Sequence, residues 1–205
     1  MYQRFGKRLA DFLLSGCGIL FLSPLLLALA IAIKIDSPGP VLFRQKRVGI
    51  HKTHFTILKF RTMRTDAPRD CPTHLLEDPA LWITRTGSFL RKTSLDELPQ
   101  IFNIFRGEMS VIGPRPALWN QQDLIRERDR YGANDIRPGL TGWAQINGRD
   151  ELEIAEKARL DGEYAGRISP VFDIRCFLGT IVSVWNREGV AEGRQNNNAK
   201  EATDL

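Results

Sequence analysis

The sequence predicts a mostly helical α+β fold with three parts: an N-terminal re-entrant helix-break-helix in a membrane, a small β-hairpin, and amphipathic helices at the membrane surface. Three observations support this class. An uncharged apolar run of 22 residues spans positions 12–33. Two β-rich runs follow it, and helical spacing of apolar residues dominates the second half of the chain.

Length and composition indicate one ordinary domain rather than a disordered or multi-spanning chain. The 205 residues are 42% hydrophobic and 26% charged, and the mean hydropathy is -0.24. A polytopic membrane protein would need several long apolar runs. The three cysteines and three histidines show no paired spacing, so neither a disulfide framework nor a transition-metal site is predicted.

Basic charge is concentrated at the N-terminal end. The first 64 residues hold 11 Lys and Arg against two acidic residues, whereas the remainder holds 18 basic against 22 acidic residues. This asymmetry indicates an anionic partner, either nucleic acid or a lipid surface. Nucleic acid is disfavoured, because the charge brackets an apolar run and no helix-turn-helix or zinc motif accompanies it.

The apolar run is long enough to cross a bilayer core, since a continuous helix of that length would reach about 33 Å. No small-x-small cleavage site precedes the charged residues that begin at Lys34, so a signal peptide is not indicated. Ser23-Pro24 lies at the centre of the run, where proline removes an amide donor and disfavours a straight helix.

Basic residues flank both ends of the apolar run, and such flanks favour the cytoplasmic side of a membrane. Together with a break at Ser23-Pro24, they favour a re-entrant hairpin over residues 1–35 that enters and leaves by the same face. A kinked helix that spans the bilayer is the alternative, since proline is tolerated in membrane helices.

Residues 36–188 are expected to form one further domain. Residues 41–48 and 54–60 are β-rich runs separated by a short glycine-containing segment, which predicts a β-hairpin. Residues 65–79 are polar and contain proline, which indicates a loop. Helical patterns follow at 95–106, 117–131 and 150–164.

A last helical stripe lies at 171–185, with Ile174, Phe177 and Ile181 on one side. Such a helix either lies on a membrane surface or packs against a protein core, and the sequence leaves both open. From position 189 onward the chain has no packing pattern, so residues 189–205 are predicted to be a disordered tail.

The most informative stretch for chemistry contains the adjacent carboxylates Asp96 and Glu97. Ser94 and Glu97 form a capping box, which predicts a helix that begins at Leu95 and a purely structural role for both carboxylates. The functional alternative uses the same geometry, because a helix N-terminus would keep Asp96 ionised and hold a phosphate beside it. Either carboxylate could then attack phosphorus, which leaves the other for Mg²⁺ or proton handling.

Phosphoryl transfer also needs positive charge around the transferred group. The candidate phosphate-binding residues are Lys59, Arg61, Arg91, Arg115, Arg137 and Arg149. Several lie in Gly/Pro turns, where functional groups are often displayed, although each alone also fits a solvated surface charge. The glycine-rich segments match neither a P-loop nor a dinucleotide fingerprint, which argues against kinases, NTPases and dehydrogenases.

Five motifs in order give the sequence a family resemblance. They are the apolar segment with Ser23-Pro24, Lys-Phe-Arg-Thr-Met at 59–63, Ser-Leu-Asp-Glu-Leu-Pro-Gln at 94–100, Gly-Pro-Arg-Pro at 113–116, and Arg-Pro-Gly-Leu-Thr-Gly-Trp-Ala-Gln-Ile-Asn-Gly-Arg at 137–149. Together they resemble the bacterial sugar transferases of the small monotopic phosphoglycosyl transferase type. The resemblance covers nearly the whole chain, from residue 5 to residue 193.

The resemblance implies an enzyme that moves a sugar-1-phosphate from a UDP-sugar to a polyprenyl phosphate, releasing UMP and beginning the assembly of a surface glycan. Asp96 matches the family's nucleophile, which forms a covalent phosphosugar intermediate. Glu97 matches its partner carboxylate, which is associated with Mg²⁺ or with acid-base help. The basic positions that match the motifs are Lys59, Arg91, Arg115 and Arg149.

The resemblance also implies a re-entrant apolar segment at the bacterial inner membrane, with anionic lipid and surface helices holding a cytoplasmic active site near the lipid phosphate. Oligomerisation is left open. The main alternative is a membrane-tethered binding protein that crosses the bilayer and whose Asp96-Glu97 pair only caps a helix. In that alternative the two termini lie on opposite sides of the membrane.

Overall fold

The computed structural model describes residues 2–68, 79–148 and 152–185. Within these ranges the chain is mostly helical and contains two small two-stranded sheets. Most of the predicted loop at 65–79 lies outside the described residues, as do Arg149 and the predicted tail at 189–205.

Seven α-helices and four strands make up the described part of the chain. The helices are α1 (Lys7–Asp36), α2 (Arg85–Lys92), α3 (Gln100–Arg106), α4 (Gln122–Asp129), α5 (Trp143–Ile146), α6 (Ile154–Gly166) and α7 (Pro170–Trp185). The strands are β1 (Leu42–Val48), β2 (His54–Phe60), β3 (Ser110–Ile112) and β4 (Gly139–Thr141). A π-helical turn at Tyr2–Gly6 precedes α1, and a 3₁₀ turn at Leu95–Glu97 precedes α3.

The predicted β-hairpin is confirmed. β1 and β2 pair antiparallel, from Leu42 opposite Phe60 to Val48 opposite His54. The predicted final helix is confirmed as α7, and the helices expected at 117–131 and 150–164 form as the shorter or shifted α4 and α6. The hairpin places Lys59, near the end of β2, beside the turn that carries the paired carboxylates.

The N-terminal apolar segment forms one helix, α1, so the prediction of two helices separated by a break at Ser23-Pro24 is wrong. Pro24 lies inside α1, and the Ser23 hydroxyl donates a hydrogen bond to the Leu20 carbonyl at 2.8 Å. This carbonyl is the acceptor that an amide at position 24 would have used in a regular helix. A side-chain donor thus takes the place of the missing amide at the point where the helix passes Pro24. By length and composition α1 is able to cross a membrane.

Both ends of α1 contact the rest of the protein. Near its N-terminus, Arg8 donates to two carbonyls at the end of α3, and Asp11 accepts a hydrogen bond from the Val111 amide at 2.9 Å. Near its C-terminus, Leu29 and Ile33 are buried in an apolar cluster with residues of β2 and α2. The helix is therefore attached to one folded body at both ends.

α7 has two apolar faces of different kinds. Phe172 and Cys176 are buried and pack with Tyr164 of α6 in a core cluster. The side chains that the sequence placed on one stripe, Ile174 and Phe177 among them, are instead exposed. The outer face of α1 is also apolar and exposed, for example at Leu13, Leu20, Phe21, Leu27, Ile31 and Ile35. In α7, Phe172 and Cys176 therefore pack in the core, while the predicted stripe faces outward.

A second sheet, which the sequence did not predict, pairs β3 with β4 in parallel, with Ile112 opposite Thr141. Its strands have three residues each, too few to give an alternating pattern. Just beyond β3, Gly113 approaches Gly139 so closely that a Cβ on either residue would overlap the backbone of the other. This contact brings the Gly-Pro-Arg-Pro segment against the start of the next motif.

Candidate active site

Two carboxylates and three basic side chains line one cavity of about 2180 Å³. They are Asp96, Glu97, Lys59, Arg91 and Arg115. β2 supplies the lysine, α2 and the segment after β3 supply the arginines, and the 3₁₀ turn before α3 supplies both carboxylates. The fold thus brings together residues that the sequence spreads over more than one quarter of its length.

Glu97 is held by two cations. The Lys59 ammonium donates to its Oε1 at 2.7 Å, and Arg115 donates to the same oxygen at 2.7 Å and to Oε2 at 3.4 Å. Burial alone would raise the pKa of Glu97, but the Arg115 guanidinium and the Lys59 ammonium hold it well below its ordinary value. Glu97 is therefore an ionised carboxylate whose negative charge is balanced by the two cations.

Asp96 lies in a different environment. Among the described residues, no donor makes a hydrogen bond to its carboxylate. Burial raises the pKa of Asp96 above its ordinary value, an effect that Lys59 opposes and that the charge of Glu97 reinforces. Asp96 is thus a poorly solvated carboxylate whose oxygens are not occupied by those residues.

The capping box predicted at Ser94 and Glu97 is wrong. Ser94 has a left-handed conformation, with φ 56°, and makes no side-chain cap. The carboxylate of Glu97 bonds to cations instead, and α3 begins only at Gln100. Three residues of 3₁₀ turn provide no extended helix dipole, so the expectation that a helix N-terminus keeps Asp96 ionised also fails.

The backbone around Arg115 is held in place, because the carbonyl groups of residues 114, 115 and 116 each accept a hydrogen bond. The Pro114 carbonyl accepts from the first amide of β4 at 2.8 Å. The carbonyl of Arg115 itself accepts from Arg128 at 3.0 Å, and that of Pro116 accepts from Arg47 at 3.0 Å. The two prolines also restrict the backbone. The guanidinium therefore extends towards Glu97 from a fixed support.

Arg128 belongs to a buried ion pair that the sequence did not reveal. Its Nε and Nη2 donate to Asp161 Oδ2 at 2.8 and 2.6 Å, and the two side chains are only 5% and 1% exposed. The pair joins α4 to α6 over 33 positions of sequence. An Arg and an Asp that far apart form no local pattern, so only the fold identifies them.

Two further predicted residues border the cavity but differ in role. Arg91 donates from Nε to Thr62 Oγ1 at 2.9 Å, which holds it at the cavity wall near Asp96. Arg61 is buried, and its guanidinium donates to the carbonyl groups of Ser37 and Pro38 just after α1. These hydrogen bonds join the end of β2 to the end of α1, so the Arg61 guanidinium already has a structural role.

The remaining predicted basic residues are not brought to this cavity. Arg137 donates from Nε to the Gly107 carbonyl at the end of α3. It is not among the described residues that line the cavity. Arg149 lies outside the described residues. The residues assembled at the cavity are therefore a subset of those the motifs indicate.

No cluster of three or more His, Cys, Asp or Glu with the arrangement of a metal site occurs in the described part of the chain. Mg²⁺ is commonly bound by one or two carboxylates together with substrate phosphates. The oxygens of Asp96, which accept no hydrogen bond from the described residues, fit that role, whereas both oxygens of Glu97 already accept from cations. Asp96 would therefore be the residue that holds a Mg²⁺, which would neutralise charge on a bound phosphate.

The arrangement is suited to displacement at phosphorus. A carboxylate without hydrogen-bond donors can attack a phosphoryl group, and neighbouring Lys and Arg side chains stabilise the charge that the group carries in the transition state. This site lies on a body to which a long apolar helix is attached. Fold and site together fit the class of membrane-associated proteins that act at phosphorus.

Residues 2–187 match the family described as "Bacterial sugar transferase", and the chain belongs to this family. A UDP-glucose:undecaprenyl-phosphate glucose-1-phosphate transferase of Xanthomonas campestris pv. campestris is 41% identical over 185 residues, which cover 87% of this chain and 38% of that protein. The Exopolysaccharide production protein PSS of Rhizobium leguminosarum bv. phaseoli is 40% identical over 195 residues, covering 88% and 96%. The Uncharacterized sugar transferase EpsL of Bacillus subtilis (strain 168) is 37% identical over 187 residues, covering 91% and 90%.

The chain spans about two fifths of the length of the Xanthomonas relative and nearly the whole length of the other two. The aligned part includes the turn with Asp96 and Glu97 and the segment with Arg115, since the family match covers both. The resemblance inferred from the five motifs is thereby confirmed at the level of the family.

Proposed function

We propose that this protein is a phosphoglycosyl transferase that moves a sugar-1-phosphate from a UDP-sugar to a polyprenyl phosphate and releases UMP. The observation that carries the proposal is the contrast between its paired carboxylates: Glu97 is neutralised by Lys59 and Arg115, while Asp96 accepts no hydrogen bond from the described residues. Relatives named as UDP-glucose:undecaprenyl-phosphate glucose-1-phosphate transferases support this reaction, with UDP-glucose as the first donor to test.

The reaction proceeds in two displacements at the same phosphorus. In the first, a carboxylate oxygen of Asp96 bonds to the phosphorus that carries the sugar. The bond from that phosphorus to the bridging oxygen breaks, and UMP leaves with this oxygen and its electron pair. In the second, an oxygen of the polyprenyl phosphate bonds to the same phosphorus and the Asp96 carboxylate is released. The products are UMP and a polyprenyl-diphosphate-linked sugar.

The basic residues around Asp96 stabilise the negative charge of both displacements. Arg115 is held on its fixed segment, and Arg91 is held by Thr62 at the cavity wall, so neither needs to reorganise during the reaction. Glu97 keeps Lys59 and Arg115 close together, since like charges would otherwise repel. Mg²⁺, held by Asp96 and the donor's phosphates, would neutralise diphosphate charge when bound.

A re-entrant position of α1 is part of the proposal. A helix that crosses a bilayer, with the folded body on one side, contacts that body at one end only. In this chain Arg8 and Asp11 at one end, and Leu29 and Ile33 at the other, all contact the body. That attachment supports an α1 whose two ends stay at the same face of the membrane, with a bend at Pro24 and no break in the helix.

The proposed location is the cytoplasmic face of a bacterial inner membrane. The exposed apolar residues of α1 and α7 support insertion into the interfacial layer, and the basic N-terminal part supports attraction to anionic lipid. UDP-sugars are polar, water-soluble donors. A site at the membrane surface is accessible both to such a donor from the water and to a lipid acceptor from the bilayer.

The reaction is tested by measuring UMP release from purified protein in nanodiscs with Mg²⁺, polyprenyl phosphate and a panel of UDP-sugars that includes UDP-glucose. We expect release with at least one donor and a loss of more than about 10³-fold in Asp96→Asn. The control is thermal unfolding: because burial raises the pKa of Asp96, the neutral Asn should leave the Tm at pH 7 unchanged or higher.

Two results would contradict the proposal. Full activity in Asp96→Asn would exclude Asp96 as the nucleophile. Absence of UMP release across the panel, from folded protein with native Tm, would favour a tethered binding protein that shares the family's motifs.

A further inference from the structure

A cleft between α1 and α7 leads into the catalytic cavity. β3 lies beneath it, since this strand contacts both helices. Its walls carry apolar side chains: Leu14 on α1, and Ile174, Phe177 and Ile181 on α7. All four are exposed, and all four border the same cavity as Asp96. The cavity therefore has an apolar arm beside the two helices.

One end of the cleft is closed by polar contacts between the helices. Lys7 on α1 donates to Asp173 Oδ2 on α7 at 2.7 Å, and the Tyr2 hydroxyl donates to the same oxygen at 2.6 Å. The other oxygen of Asp173 accepts from the buried Tyr164 hydroxyl. Protein donors thus satisfy both oxygens of the carboxylate. This end holds α1 against α7, and its cation, Lys7, is already paired with Asp173.

The other end of the cleft runs into the basic cluster. β3 ends at Ile112, and Arg115 follows on the next segment of the chain. Thr141 of β4 bonds to Thr180 of α7 at 2.6 Å, which fixes α7 beside the end of the same sheet. A molecule that lies along the cleft would therefore place one end next to Arg115 and Asp96.

This combination selects for a particular ligand chemistry. A cationic end suits a phosphate monoester, and an open apolar trough suits a hydrocarbon chain without polar atoms. A UDP-sugar is polar throughout and would leave the trough unfilled, whereas inorganic phosphate would use only the cationic end. A long-chain lipid phosphate uses both.

We propose that the cleft between α1 and α7 binds the hydrocarbon chain of the lipid-phosphate acceptor and directs its phosphate towards Asp96. This inference rests on the function proposed above and assigns the place of its second substrate. The donor half-reaction needs no acceptor, so the two half-reactions separate the cleft from the catalytic cavity.

The test compares Ile181→Trp with Val182→Trp. These neighbours on α7 are 52% and 57% exposed, but only Ile181 borders the cavity. A Trp at either position adds similar apolar area to the membrane-facing surface, so the pair is matched for membrane affinity. Only the Trp at position 181 fills the trough.

Two measurements are made on each variant in detergent micelles. The first is the burst of UMP released from UDP-glucose, or from whichever UDP-sugar the panel above identifies, without acceptor. The second is the KM for undecaprenyl phosphate and for a short prenyl phosphate. We expect Ile181→Trp to keep the burst, to raise the KM for undecaprenyl phosphate about tenfold or more, and to leave the KM for the short acceptor almost unchanged. Val182→Trp should resemble the unaltered protein throughout.

Equal effects of the two Trp variants, or equal effects on long and short acceptors, would overturn the proposal. If Ile181→Trp loses the burst, Phe177→Ala replaces it: removal of one wall should reduce the preference for the long acceptor while the burst persists. An unchanged preference in Phe177→Ala would also overturn the proposal. Absence of a burst in the unaltered protein would instead contradict the proposed catalytic function.

Discussion

Asp96 and Glu97 are neighbours in the sequence, yet their carboxylates have opposite electrostatic environments. Glu97 accepts hydrogen bonds from Lys59 and Arg115 at 2.7 Å each, while no described residue donates to Asp96. The tight 3₁₀ turn separates the two side chains enough for this difference. One carboxylate therefore organises the cations, and the other remains available to attack a substrate.

The pH dependence of the first half-reaction should reflect Asp96. Only the ionised carboxylate attacks phosphorus, and burial raises the pKa of Asp96 above its ordinary value. The rate of UMP release should therefore fall as the pH decreases, with a midpoint above about 3.9, the pKa of an exposed aspartate. Single-turnover release measured across the acid range checks this. A midpoint at or below that of an exposed aspartate would contradict the assignment.

Replacing Glu97 should move this midpoint. In Glu97→Gln the negative neighbour that raises the pKa of Asp96 is absent, while the positive charges of Lys59 and Arg115 continue to lower it. The pKa of Asp96 should therefore fall, so the acid limb of the residual activity should shift to lower pH. The Tm at neutral pH should decrease, because Lys59 and Arg115 lose their ion pairs with the Glu97 carboxylate.

The stability effect of Glu97 has a definite sign. Its pKa is held below the ordinary value in the folded protein, so its contribution to folding is present above the unfolded pKa and is lost as the pH falls towards the folded one. The Tm difference between the unaltered protein and Glu97→Gln should therefore shrink in acid. A difference that grows in acid would contradict the ion pairs with Lys59 and Arg115.

The fold was predictable where the pattern is local. The β-rich runs around one turn predicted the hairpin, and the apolar spacing before Trp185 predicted α7. α2 was missed because Arg85–Lys92 contains few apolar residues, and it packs by the close approach of Gly87 to the Thr62 backbone instead. Such a contact depends on shape, and a single sequence gives no sign of it.

The site was predictable only in part for the same reason. Motif chemistry identified Asp96, Glu97, Lys59, Arg91 and Arg115, and the fold places them at one cavity. The capping box failed because Glu97 finds stronger partners across the fold than an amide three residues away. Those partners come from β2 and from the segment after β3, and no local rule connects these segments with the turn.

The buried pair of Arg128 and Asp161 should affect both stability and activity. In Asp161→Asn the Arg128 guanidinium stays buried without a counter-charge, which should cost about 3–5 kcal/mol. Transfer should also decrease, because Asp161 holds the Arg128 side chain, which in turn donates to the carbonyl of Arg115. Thermal unfolding and UMP release measure the two effects. As a control, Glu156→Gln removes an exposed ion pair with Arg159 and should change neither measurably.

A double variant separates the two effects of this pair. In Arg128→Met/Asp161→Leu both charges are absent and apolar side chains fill the space, so the Tm should recover most of the loss. This double variant also removes the Arg128 side chain that donates to the Arg115 carbonyl, so transfer should remain low. Recovery of transfer in parallel with the Tm would show that the pair serves stability alone and does not position Arg115.

The hydroxyl of Ser23 should matter only because Pro24 follows it. Ser23 donates to the Leu20 carbonyl, which would otherwise lack a donor on an exposed, apolar surface of α1. Ser23→Ala should therefore lower the free energy of unfolding by about 1–3 kcal/mol in a lipid environment. In a Pro24→Ala background the amide of residue 24 can donate to the Leu20 carbonyl, so the same Ser23→Ala change should cost little.

The coupling energy between the two positions is obtained by unfolding the two single variants and the double variant in nanodiscs. An equal cost of Ser23→Ala in both backgrounds would show that the helix continues through Pro24 for another reason.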